Sequence, residues 1–139
     1  MILVTGATGF VGRHLLRRLA AAEAPVRCLV HRRALPPGIP MMWEAAPGDV
    51  RDPAALAEAM AGARTVIHLT ASPRSGGEGF LRRIAEGTRC LVEVCRAARV
   101  HRLIVLSALG ARQTPEAPFL HALWQAEGVI RESGLPYLI

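Results

Sequence analysis

The sequence contains no lysine; all seventeen of its basic residues are arginine, set against eleven acidic residues for a formal charge of +6. Aromatics are scarce, with one tyrosine, two tryptophans and three phenylalanines. An excess of arginine invites a nucleic-acid hypothesis, but these arginines are scattered over nearly every segment and no aromatic platform is interleaved with them. The pattern argues against nucleic-acid binding and leaves room for a local anion site. The three cysteines, Cys28, Cys90 and Cys95, are odd in number and form no CxxC pair. That argues against a structural zinc or a disulfide framework, predicts buried thiols in a reducing compartment, and gives no expectation of a metal site. No apolar run approaches the roughly 18 residues of a membrane span, and Met1 leads straight into a strand with no room for a signal peptide. The expectation is a soluble cytoplasmic protein.

What is present begins at the N-terminus. The run Ile2 to Gly12, ILVTGATGFVG, joins a short apolar strand to three glycines spaced three apart. Gly6 permits a tight turn, Gly9 lets backbone N–H groups approach a phosphate, and Gly12 lets the following helix pack against the sheet. Thr8, Phe10 and Val11 complete a cradle at the start of that helix, whose positive end and unpaired N–H groups favour an anion by about 0.3–1 kcal/mol per interaction. The bland reading of the triplet is an ordinary strand-to-helix turn. Its context favours a pyrophosphate cradle, because a strand precedes it and an amphipathic HLLRRLAAA stretch follows.

At 139 residues the chain is one domain, long enough to bury roughly two thirds of its unfolded surface. Strands are predicted near 2–5, 25–30, 42–45, 65–69 and 103–106, with a last one in SGLPYLI. Helices are predicted near 10–22, from Pro53 to Met60 with Asp52 as cap, through a long segment containing Phe80, Ile84, Thr88, Leu91, Cys95 and Ala98, and from Pro118 to Ser133. Alternating elements with strands apolar on both faces predict an α/β fold: a Rossmann-type, doubly wound parallel sheet with helices on both faces. A ligand belongs at the carboxyl ends of its strands.

The TGxxGxxG pattern resembles the short-chain dehydrogenase/reductase superfamily in its extended and atypical branches. VRCLVHRR, GDVRDP, VIHLTAS, EGTRCLVEVCRAARV and HRLIVLSALGA extend the likeness along the whole chain. It is nearest to the atypical group that includes NmrA-like NADP-binding proteins and a nucleotide-binding accessory subunit of respiratory complex I. Family members continue past the sixth strand into a substrate-binding region, so the resemblance implies a nucleotide-binding domain over 1–139 whose substrate half lies elsewhere.

A dinucleotide-binding domain that prefers NAD usually carries an acidic residue about 20 positions past the glycines. Here the second strand ends instead in His31, Arg32 and Arg33. An arginine fork matches a 2′-phosphate, at roughly 1.5–3 kcal/mol per charge-assisted bond, so NADP(H) is expected over NAD(H); the alternative is a solvated turn. Asp49 and Val50 match the family's adenine-bordering turn, although Asp49 could equally bond its own backbone. Leu69, Thr70 and Ala71 fall where the fourth strand would run under a cofactor ribose. His68, just before them, reads as a satisfied core histidine.

Family enzymes pair a tyrosine and a lysine four residues apart on the last helix with a serine after the fifth strand. Ser107 matches the serine, but Phe119 and Leu123 stand at the tyrosine and lysine positions, and Ile84 falls where many relatives place an asparagine. With no lysine in the chain and its one tyrosine, Tyr137, beyond the helix, the proton relay is absent. Phe119, Leu123, Ala126 and Ile130 form an apolar stripe that reads as packing or as a helix-to-helix contact with a protein partner or second copy. His121 projects about 200° around the helix from Phe119 and is a poor substitute acid. Two readings follow. One is an NADP(H)-binding domain with a redox-sensing, regulatory or accessory role. The alternative is an NAD(P)-dependent reductase, dehydrogenase or nucleotide-sugar epimerase whose catalytic and substrate parts lie outside these residues.

Overall fold

A computed structural model describes residues 1–69, 78–114 and 116–139. The described elements are β1 (Ile2–Thr5), α1 (Phe10–Ala21), β2 (Val26–Val30), β3 (Glu44–Pro47), α2 (Pro53–Met60), β4 (Thr65–His68), α3 (Glu78–Ala97), β5 (Arg102–Val105), α4 (Pro118–Arg131) and β6 (Tyr137–Leu138). All six strands are parallel, in the order β3-β2-β1-β4-β5-β6. The chain therefore forms a Rossmann-like α/β domain whose strand order reverses between β1 and β4, the crevice where such sheets bind ligands.

The strands are apolar on both sides because both sides are covered. Val4, Cys28 and Ile67 pack against Leu16 of α1 on one face. Leu3, Leu29, Val66 and Leu103 pack against α2, α3 and Ile130 of α4 on the other. On the α1 face, the connection from β2 to β3 supplies Leu35, Ile39 and the buried Trp43 in place of a helix, and Trp43 Nε1 donates to the Ala24 carbonyl at 2.9 Å.

Local chemistry starts α2 as expected: Pro53 is its first residue, and the Asp52 carboxylate accepts from the Ala54 and Ala55 N–H groups at 3.0 and 3.2 Å. Its far end is held by Arg27, whose Nη1 donates to the Ala59 and Ala61 carbonyls at 2.9 and 2.8 Å, while Nε bonds Glu44 at 2.5 Å.

Two expectations need correction. β3 runs from Glu44 to Pro47, two residues later than the apolar Met42 suggested, because Met41 and Met42 are exposed and Glu44 aligns with Arg27. Cys28 and Cys95 are buried, as expected, but Cys90 is only half-buried, at the margin of α3's apolar side.

Candidate functional site

The crevice opens beside the loop between β1 and α1. Gly6 has φ of +74°, a left-handed conformation that admits glycine most readily, and its carbonyl accepts the Gly9 N–H at 3.0 Å. A Cβ on Gly12 would stand 2.3 Å from the Gly6 carbonyl oxygen and 2.5 Å from that of Ala7, so only a glycine lets α1 rest on this loop. Gly9 caps α1 with no side chain bonded to the helix end, and no acidic residue occupies the first turn. Gly9 and the side chains of Phe10 and Val11 are exposed, whereas Thr8 is half-buried. The result is a bare helix N-terminus with exposed backbone, which fits a pyrophosphate in shape and polarity.

On the β2 side, His31, Arg32 and Arg33 follow the strand as an exposed turn. Asp49, in the loop before α2, accepts the Arg51 backbone N–H at 3.0 Å and the Arg51 guanidinium through both carboxylate oxygens, and stands 3.6 Å from His31 Nε2. The hydrogen bonds and charge of Arg51 hold its carboxyl down at about 2. Val50 packs beside Gly87 of α3, where a Cβ would meet it at 2.9 Å.

On the opposite side, β4 ends in His68, whose Nδ1 lies 2.7 Å from Thr5 Oγ1 of β1. Leu69 continues the ladder by donating its N–H to the Thr5 carbonyl at 3.0 Å, and its side chain joins the α1-face core. Thr70 and Ala71 lie outside the described residues. Burial pushes the His68 imidazole down from 6.5 to about 4. The folded state therefore holds it neutral while an unfolded chain takes up the proton. Stability is fully present above about pH 6.5 and falls as pH drops toward 4, by up to roughly 1.4 kcal/mol per pH unit. Urea unfolding at pH 7 and pH 5 should show this loss in the wild type and a smaller one in His68→Gln; equal stability of the wild type at the two pH values would contradict it.

Ser107, just past β5, is half-buried and has a neighbour that the sequence reading missed. Its hydroxyl donates to Glu127 Oε1 at 2.5 Å, and Glu127 Oε2 accepts from Arg131 Nη2 at 2.6 Å. Glu127 is only 8% exposed. The signal was available: Glu127 lies four residues beyond Leu123 and four before Arg131, on the helix face already read as turned inward. Leu123 is 4% exposed and packs with Ile84, Ala122 and Ala126 between α3 and α4, with Phe119 half-buried beside them. Much of the apolar stripe is thus covered within the chain. His121 lines a separate groove with Gln113 and Gln125, apart from the small cavity that Ser107, Glu127 and His68 share.

Residues 6–139 match the model of a family described as NAD(P)H-binding. The chain belongs to that family. The NAD(P)H-binding domain is 34% identical to a ceramide reductase of Caulobacter vibrioides, an alignment covering 100% of this chain and 44% of the relative. It is 30% identical to the photosystem II assembly factor Ycf39 of Cyanophora paradoxa, over 99% of this chain and 43% of that protein. Among solved structures, a short-chain dehydrogenase/reductase superfamily protein from Agrobacterium tumefaciens with bound NAD superposes with a TM-score of 0.82 at 26% identity, covering 100% of this chain and 48% of that one. The chain spans less than half the length of these relatives, and it is an NAD(P)-binding domain of the short-chain dehydrogenase/reductase type. No helix among the described residues is long and apolar enough to cross a membrane.

Proposed function

We propose that this domain binds NADP(H) in preference to NAD(H) and serves a redox-sensing, regulatory or accessory role without a tyrosine–lysine proton relay. The observation that carries the reading is Leu123. The position matched to the family lysine is filled by a side chain sealed between two helices, and a cation placed there would have to leave water.

In this reading Gly6, Gly9 and Gly12 receive the pyrophosphate, Arg32 and Arg33 hold the 2′-phosphate, and Asp49 and Val50 border the adenine. The nicotinamide half runs toward Leu69, Thr70 and Ala71 and the end of β5. NADPH supplies a hydride donor when bound; the protein's own part is to orient the dinucleotide and exclude water from it. Substrate-determining parts belong, in this proposal, outside residues 1–139.

The second reading, a reductase, draws on the named reductases among the relatives and on the polar pair Ser107–Glu127 at the nicotinamide side. A single-turnover mixture of the protein with NADPH and a panel of aldehydes and ketones separates the two. No loss of reduced-nicotinamide absorbance above the protein-free rate is expected, and clear cofactor oxidation would overturn the first reading in favour of the second.

A further inference from the structure

Among the described residues, both hydroxyl groups that line the cavity beside Val105 donate their protons to partners within the protein. Thr88 donates to the Ile84 carbonyl at 2.9 Å, and Ser107 donates to Glu127. Glu127 is in turn fixed by Arg131, which can only donate, so the carboxylate is engaged at both oxygens as an acceptor. A serine hydroxyl carries one proton and two lone pairs, and once that proton is committed the group can offer only acceptance to anything else. Ser107 makes no other hydrogen bond among the described residues. A serine that polarises a substrate carbonyl must donate; this one is wired the other way.

We propose that Glu127 sets the polarity of Ser107, holding its only hydroxyl proton inside the protein, so that the serine presents an acceptor to the nicotinamide end of the site and selects an N–H or O–H donor over a bare carbonyl oxygen. Glu127 is a positioning residue in this scheme, acting through Ser107. The inference rests on the nucleotide-binding reading above. With the pyrophosphate at the β1 turn and the adenine toward β2, the other half of a dinucleotide crosses to β4 and β5, where the carboxamide amine of nicotinamide is the donor of the required kind.

The amide of a Glu127→Gln variant has one acceptor and one donor end. Arg131 claims the oxygen, which turns the amide N–H toward Ser107 and forces the serine proton outward. The variant therefore inverts the serine rather than merely weakening it.

The test measures affinities for NADP+, for its 3-acetylpyridine analogue, in which a methyl ketone replaces the carboxamide, and for 2′-phospho-ADP-ribose, which lacks the ring. Wild type should favour NADP+ over the ketone analogue by about three- to tenfold more than Ser107→Ala does, the worth of one neutral hydrogen bond. Glu127→Gln should bring that ratio down to the Ser107→Ala value or below it. Binding of 2′-phospho-ADP-ribose should be unchanged in all three proteins, which a merely structural role for Glu127 would not deliver. Should Glu127→Gln fail to fold, the Ser107→Ala comparison decides by itself. An analogue ratio identical in wild type and variants, with 2′-phospho-ADP-ribose still bound, overturns the polarity assignment alone. Failure of the wild type to bind any of these three ligands, each of which carries a 2′-phosphate, removes the NADP(H) preference and moves the test to NAD+ and its own 3-acetylpyridine analogue; failure to bind those as well removes the nucleotide-binding reading and this inference with it.

Discussion

Replacing Gly12 with alanine is expected to destabilise the domain by about 3 kcal/mol and to abolish dinucleotide binding. The reason is geometric. The added Cβ would meet the carbonyl oxygens of Gly6 and Ala7 at 2.3 and 2.5 Å and the Ala7 carbonyl carbon at 2.7 Å. These are backbone atoms at the end of the central strand β1, so no rotamer change relieves the contact and α1 must lift from the sheet. Lifting it opens the core around Leu16, Val4 and Cys28 and moves the helix N-terminus proposed to receive the pyrophosphate. Gly9→Ala is the control. Gly9 is exposed, its φ is −75°, and the nearest atom to an added Cβ is the Gly6 carbonyl oxygen at 3.1 Å. That variant should keep most of its stability yet bind nucleotide more weakly, because the methyl would occupy the path proposed for the phosphate. Urea midpoints and NADPH titrations of the two variants check the pair; a Gly12→Ala protein with wild-type stability and affinity would contradict the assignment.

The second large effect is expected at the arginine turn. Arg32→Ala with Arg33→Ala should weaken NADPH binding by roughly 10- to 100-fold, the loss of about one charge-assisted contact to a 2′-phosphate, and leave NADH binding within about twofold. Both side chains are exposed and neither makes a hydrogen bond or ion pair among the described residues. Their removal should therefore leave the melting temperature of the free protein nearly unchanged, which separates a binding role from a structural one. Were the turn merely solvated, the double variant would bind both cofactors as the wild type does, and calorimetric titration distinguishes the outcomes.

Features set by local chemistry were legible in the sequence. The β1–Gly6–α1 unit could be read from spacing alone, because the tight turn and the close helix contact each demand glycine where the chain has it. The Asp52–Pro53 start of α2 is equally local. Long-range pairing decided the rest. Met41 and Met42 look like strand residues, but the Arg27–Glu44 alignment and the burial of Trp43 place β3 beyond them. Glu127 was hidden for a related reason: a charged residue on an otherwise apolar helix face has no meaning until β5 brings Ser107 to it across twenty residues of chain. The resemblance led to the relay positions Phe119 and Leu123, and the structure supplied what replaces the relay there: packing around Leu123 between α3 and α4, and one turn further along α4 an ion-paired glutamate.

The glycine cradle as a dinucleotide site is the centre of the account, and the thermal unfolding of the protein with and without NADPH or NADH tests it most directly. A ligand bound only by the folded state raises the melting temperature by linkage, so saturating NADPH should raise it clearly and NADH less. A melting temperature unmoved by either cofactor would contradict the account.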